Sequence, residues 1–177
     1  MTSDVVSLRT DTSETLEETP LYDLIELLFF AYRDFVGDAD RLLEVYAFGR
    51  AHHRVLHFVS RKPGMTVAEL LDILRITKQS LARVMKELVD GGFVAAHAGP
   101  VDRRQRLLFV TPAGQDLADK LARLQSERFR RALRVLPPGA RDDAIRFLLA
   151  LVDNDAQASV IATVWPETTR VPKAGRR

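Results

Sequence analysis

Apolar residues recur at Leu21, Leu24, Ile25, Leu28, Phe29, Tyr32, Phe35 and Val36. This i, i+3, i+4, i+7 spacing predicts a helix with one apolar face. Pro20 precedes it, as helix starts allow, and Gly37 is expected to end it. A short segment at Asp38–Val45 follows. A second helix is expected from Arg50 to Arg61, with Val55, Leu56, Phe58 and Val59 apolar, closed by Lys62-Pro63-Gly64. Thr66-Val67-Ala68-Glu69 is a capping box, in which the threonine hydroxyl accepts from the third amide and the glutamate reaches back. Val67, Leu70, Leu71 and Leu74 then mark a short amphipathic helix. After a tight connection at Arg75-Ile76, Thr77 can cap another, whose inner face is Leu81, Val84, Met85 and Leu88.

At Gly91-Gly92 the period changes from helical to extended. Phe93–His97 reads as a strand, Ala98–Gln105 as a polar turn and Arg106–Val110 as the returning strand. Thr111-Pro112 starts a long helix whose buried side is marked by Leu117, Leu121, Leu124, Phe129 and Leu133. Pro137-Pro138-Gly139 separates it from a last helix expected over residues 140–156. The predicted fold is mainly α with a small β-hairpin wing. Its middle is a capped short helix, a tight turn, a helix and a hairpin with an Arg-rich tip. As an ordered set this is a winged helix-turn-helix, which spans residues 50–111.

With Leu81, Val84, Met85 and Leu88 turned inward, Gln79, Arg83 and Lys86 point outward, flanked by Lys78 and Ser80. A recognition helix contacts base edges with such residues near its N-terminus. Gln suits adenine and Arg suits guanine, while Ser, Lys and the helix start suit phosphate. An ordinary solvated helix face would look the same in isolation; the capped helix before it and the hairpin after it favour double-stranded DNA. The hairpin tip carries Asp102, Arg103, Arg104 and Arg106. Arginine fits a narrow minor groove, where the potential is negative. Asp102 is expected to brace the turn or to orient Arg104.

Composition changes this picture little until charge is read by segment. The 177 residues carry 26 Lys and Arg against 24 Asp and Glu, a net charge of only +2. Residues 1–60 hold eleven acids against five bases, residues 61–111 nine bases against five acids, and residues 112–177 twelve bases against eight acids. The average therefore hides an acidic start and a basic winged segment. Zero cysteines exclude a disulfide scaffold, a Cys-ligated zinc site and thiol chemistry. No signal peptide or membrane span is read, which places the chain in the cytoplasm. Residues 1–19 and 163–177 are expected to be flexible tails, acidic and basic respectively. No Gly-rich phosphate loop, nucleophile elbow or paired carboxylates point to an enzyme, and no cofactor is expected.

The stretches TVAELLDILRITKQSLARVMKELVDGGFV and DRRQRLLFVTPAG resemble the MarR family of bacterial transcriptional regulators. The string RAHHRVLHFVSRKPG is similar to its PetP-like branch. The resemblance implies a homodimer whose dimerisation helices are residues 20–48 together with residues 112–157. It implies two winged domains on a pseudo-palindromic operator, usually for repression. The recognition helix, here residues 77–90 starting at Thr77, would enter the major groove and Arg104 the minor groove. Many members carry a second acid just after the wing arginine; this chain has Gln105 there, so the partner for a wing-stiffening salt bridge is missing. Independently, the broad apolar faces of the first and last helices exceed what one small winged domain covers, and an isologous interface would bury them.

By the same resemblance a small aromatic or phenolic acid would act as effector, with Tyr32, Phe35, Tyr46, Phe48, His53 and His57 as candidate lining. Those aromatics would equally serve as core. His53 and His57, one helical turn apart, admit a metal-responsive regulator as an alternative, but two histidines without a third ligand are a weak site, and no metal is assigned. Without cysteine, thiol-based peroxide sensing is excluded. A winged-helix protein-interaction module without DNA binding is the other alternative; it would call for an acidic or apolar recognition face, against Gln79, Arg83 and Lys86.

Overall fold

The polypeptide, a computed structural model described here for residues 19–166, runs through seven helices and three strands: α1 (Tyr22–Glu44), α2 (Arg50–Arg61), β1 (Met65–Thr66), α3 (Val67–Leu74), α4 (Lys78–Asp90), β2 (Val94–Ala98), β3 (Arg106–Val110), α5 (Pro112–Arg134), α6 (Ala140–Ala150) and α7 (Asn154–Val164). It forms two compact units, one up to Ser126 and one from Glu127, with the boundary inside α5. The fold is mainly α with a three-stranded antiparallel sheet in the order β1-β3-β2.

The first unit is built around one apolar core. Leu43, Leu56, Leu70, Leu81, Leu88, Leu108, Leu117 and Leu121 are all fully buried in it. Burial of each such side chain contributes roughly 1.5–3 kcal/mol, so the leucines set by helical period in α2 to α5 fix how those helices meet. Local signals set the ends. Thr66 accepts from the Glu69 amide at 3.2 Å, while Glu69 takes the Thr66 amide at 2.7 Å, so the capping box forms as read. Arg75 adopts a left-handed φ of 52° and ends α3, and Arg54 of α2 donates to the Leu74 carbonyl at 2.9 Å, which satisfies one of the orphan carbonyls at that end. Thr77 caps α4 by accepting from the Ser80 amide at 3.1 Å. Gly92, with φ of 74°, turns the chain out of α4 into β2. The hairpin registers Val94 opposite Val110 and Ala98 opposite Arg106.

Several expectations are corrected. Gly37 does not end the first helix; α1 is continuous through it to Glu44. The helical period persists past the glycine on the same face, and what changes is its covering: Val36, Ala39 and Leu43 are buried, while Leu24, Ile25, Leu28 and Phe29 are exposed. The segment expected at Asp38–Val45 is thus the anchored end of α1. β1 was not foreseen. It pairs Met65 with Leu108 and Thr66 with Leu107, and two residues are too few to show an extended period. The strand expected at Phe93–His97 lies one residue later.

The last helix expected over residues 140–156 is two helices, α6 and α7, broken at Leu151–Asp153. Neither Gly nor Pro marks the break. Asp153 is the N-cap of α7, and Gln157 Nε2 donates to the Val152 carbonyl at 3.1 Å across the corner. α6 and α7 contain no buried residue; Phe147, Leu148, Leu151 and Trp165 are exposed. Of the expected C-terminal tail, Thr163 and Val164 instead belong to α7; residues 1–18 and 167–177 of the two tails lie outside the described residues. Among the described residues no helix is long and apolar enough to cross a membrane.

Candidate nucleic-acid interface

Two elements of the first unit carry the candidate contacts. On α4, Lys78, Gln79, Ser80, Arg83 and Lys86 are exposed, while Leu81, Val84 and Leu88 hold the opposite side in the core. Thr77 is exposed too, but its hydroxyl is engaged at the helix start, donating to Ser80 Oγ at 2.9 Å while accepting from the Ser80 amide. Arg83 Nε donates to Glu87 Oε1 at 3.0 Å, and Lys86 pairs with Asp90. Both are i, i+4 pairs on the helix surface, and each leaves N–H donors of its cation free for a phosphate or a base.

The wing tip from Val101 to Arg106 is exposed throughout. Its turn is closed by main-chain bonds: the Gln105 amide donates to the Asp102 carbonyl at 3.1 Å and the Gly99 amide to the Gln105 carbonyl at 3.0 Å. The Asp102 carboxylate accepts from the Arg104 amide at 2.8 Å. Asp102 therefore braces the turn, as expected, through the main chain of Arg104. The position of Gln105 thus contributes through its backbone, and the turn closes without the second acid. Arg103, Arg104 and Arg106 leave their guanidinium groups toward solvent from this braced hairpin.

The base of the wing is locked to α5. Thr111 donates its hydroxyl to the Gly92 carbonyl at 2.6 Å and accepts from the Gly114 amide at 3.1 Å, while its own amide donates to the Phe93 carbonyl. Gly114 lies so close to that carbonyl that a Cβ there would stand 2.0 Å from the oxygen. The Thr-x-x-Gly at the helix start thus joins the end of α4, the wing and α5 at one point.

The six residues read as candidate effector lining fall in separate surroundings. Tyr46 and Phe48 pack with Phe93, and Phe48 stacks on His52 at 4.5 Å. The ring of Tyr32 faces the Arg50 guanidinium at 5.9 Å, and Arg50 is paired with Asp40 at 2.9 Å. Phe35 is half-buried on α1. His53 is half-buried, and desolvation together with the neighbouring His57 holds its pKa below the ordinary value. No cluster of three or more His, Asp or Glu able to hold a metal occurs among the described residues. A separate groove of about 690 Å³ lies between α3, α4 and the sheet, lined by Leu71, Ala82, Met85, Val89 and others, and by none of these six.

One residue the sequence reading passed over stands out. His52 is buried, and its Nε2 lies 2.6 Å from Glu87 Oε2. Its place was legible: His52, Val55, Leu56 and Val59 follow the helical period and form the buried stripe of α2.

Residues 48–105 match the MarR family model. The HTH-type transcriptional regulator PetP of Rhodobacter capsulatus is 44% identical over 129 residues, covering 73% of this chain and 78% of the relative. The chain belongs to the MarR family. It is a transcriptional regulator, similar to the PetP branch, in a family that is not enzymatic. Solved MarR-type structures share its fold. The crystal structure of MarR is matched with a TM-score of 0.60 at 24% identity, over 84% of this chain and 97% of that one. FabT of Streptococcus pneumoniae, solved in complex with DNA, is matched with a TM-score of 0.67 at 13% identity, over 75% and 94%.

Proposed function

We propose that this MarR family regulator binds a pseudo-palindromic operator in the cytoplasm as a homodimer and represses transcription. α4 lies in the major groove, with Gln79 and Arg83 at base edges and Thr77, Lys78, Ser80 and Lys86 on phosphates. The wing places Arg104 in the minor groove, with Arg103 and Arg106 on the flanking backbone. The observation that carries this reading is the pairing of an exposed, basic α4 face with an Arg-bearing wing whose turn is braced by Asp102. A winged module that binds protein instead of DNA calls for an acidic or apolar recognition face, against the exposed Gln79, Arg83 and Lys86.

The dimer is supported by the exposed apolar residues at both ends of the chain. Leu24, Ile25, Leu28 and Phe29 on α1, and Phe147, Leu148, Leu151 and Trp165 around α6 and α7, are too many for a solvated monomer surface. The domain division follows: dimerisation helices at 20–48 and 112–157, and the reading domain at 50–111. The effector class that fits the family is a small aromatic or phenolic acid; Tyr32, Phe35, Tyr46, Phe48, His53 and His57, which do not line one cavity in this chain, are the residues whose replacement would test it. Nuclease footprinting on the DNA upstream of the protein's own gene tests the reading. Protection of two related half-sites about one helical turn apart, ~34 Å, is expected. Protection of a single half-site, or of none, would contradict it.

A further inference from the structure

Arg83 is 82% exposed, and a lone surface pair with Glu87 would not hold such a side chain in one pose. The second oxygen of that carboxylate changes the case. Glu87 Oε2 is held at 2.6 Å by Nε2 of His52, a residue only 7% exposed. The histidine itself has one orientation. Its Nδ1 accepts from the Gly49 amide at 3.1 Å, so the ring proton resides on Nε2 and is donated to Glu87. Phe48 stacks on the imidazole at 4.5 Å with an interplanar angle of 8°, and Phe93 meets Phe48 edge-on at 5.2 Å. The carboxylate is therefore fixed from inside the core and presents its other oxygen to Arg83 Nε at 3.0 Å.

We propose that His52 and Glu87 are positioning residues for base recognition, a relay from α2 that presents Arg83 to one guanine of each half-site. This rests on the DNA-reading function proposed above and deepens it. With Nε engaged by Glu87, the two terminal nitrogens of the guanidinium form the free edge, and two parallel N–H donors match the O6 and N7 acceptors of guanine in the major groove. Setting the rotamer before binding removes an ordering cost that a free arginine meets on the DNA. Both Arg83 and His52 hold Glu87 in its carboxylate form, since their hydrogen bonds push its pKa down.

Selection of binding sites from a randomised duplex library by the full chain tests the relay. The wild type should select a consensus in which one G·C position per half-site loses its preference in Arg83→Ala. At that same position Glu87→Ala and His52→Leu should lower the preference roughly five-fold or more, with the other positions retained. His52→Gln, whose amide can donate from near the place of Nε2, should restore much of it. A merely structural role would instead weaken all positions together. Thermal melting confirms folding of each variant; should His52→Leu fail to fold, Glu87→Ala alone decides. The relay is overturned if the Arg83-dependent preference survives in the folded variants, if the loss spreads evenly, or if Arg83→Ala changes no position. If the wild type selects no consensus at all, the DNA-reading function itself fails.

Discussion

At the scale of single residues, side chains of the first unit complete backbone hydrogen bonds that its leucines cannot. Thr111 and Gly114 show the difference between a cap and a close approach. The threonine hydroxyl can be replaced at a cost of about 1 kcal/mol, the usual worth of a cap. The glycine cannot accept even a methyl group, because the Phe93 carbonyl oxygen occupies the place of its Cβ at 2.0 Å. Gly114→Ala should destabilise the protein by about 3 kcal/mol or more, since backbone rather than a flexible side chain must move. Denaturant unfolding measures this, and a loss below about 1 kcal/mol would contradict the contact. The same scale shows where the sequence misled. Thr-x-x-Gly was legible as a family motif, but its reason, the approach to a carbonyl 21 residues earlier, is a tertiary fact. His52 carries no candidate role in the sequence, although its place on the period of Val55, Leu56 and Val59 points inward.

At the scale of elements, the recognition core was legible because each end carries a local signal that works through the backbone. The Thr66–Glu69 box, the Thr77 cap and the Gly91-Gly92 exit all lie where periodicity placed them. Glu69 also has a titration consequence. The Lys62 ammonium at 2.5 Å and the Thr66 amide hold its pKa at about 2, below the ordinary 4.5. A depressed carboxylate contributes stability that is present above the unfolded value and lost as pH falls through the folded one. The melting-temperature gap between wild type and Glu69→Gln should thus be full above about pH 4.5 and close as pH approaches 2. A gap that does not vary with pH would deny the charge a role.

The elements misread were those whose ends carry no such signal or a false one. Gly37 suggested a stop, yet the helix runs on because Val36 before it and Ala39 and Leu43 after it pack in the core. Glycine inside a helix costs up to about 1 kcal/mol relative to alanine, and a Cβ at Gly37 would meet only the end of the Arg41 side chain at 3.9 Å. Gly37→Ala should raise stability by about 0.5–1 kcal/mol in thermal or denaturant melts. Destabilisation would mean that the helix does end there. The break between α6 and α7 was hidden for the opposite reason, since only Asp153-Asn154-Asp155, a run that favours helix starts over interiors, marks it.

At the scale of the whole molecule, charge and apolar surface are distributed by task. Three of the four surplus bases of residues 61–111 sit on α4 and the wing, and the acidic surplus of residues 1–60 includes α1, so a net charge of +2 conceals a nucleic-acid reader. The exposed apolar residues of α1 should be buried in a second copy. Replacing Leu28 and Phe29, 50% and 67% exposed, with aspartate should shift the sedimenting species from dimer to monomer while the first unit keeps its fold. A wild type that sediments as a monomer would refute this interface.

The central claim, that α4 and the wing grip DNA through cations, is tested most directly by the salt dependence of binding to the DNA upstream of the protein's own gene. Each phosphate neutralised contributes about 0.9 to the slope of log affinity against log salt. The wild type should show a steep negative slope, several-fold that of one contact. Arg104→Ala should bind more weakly with a slope shallower by about 1 per arginine removed. A wild-type affinity that does not fall with salt, or an Arg104→Ala slope and affinity equal to the wild type, would contradict it.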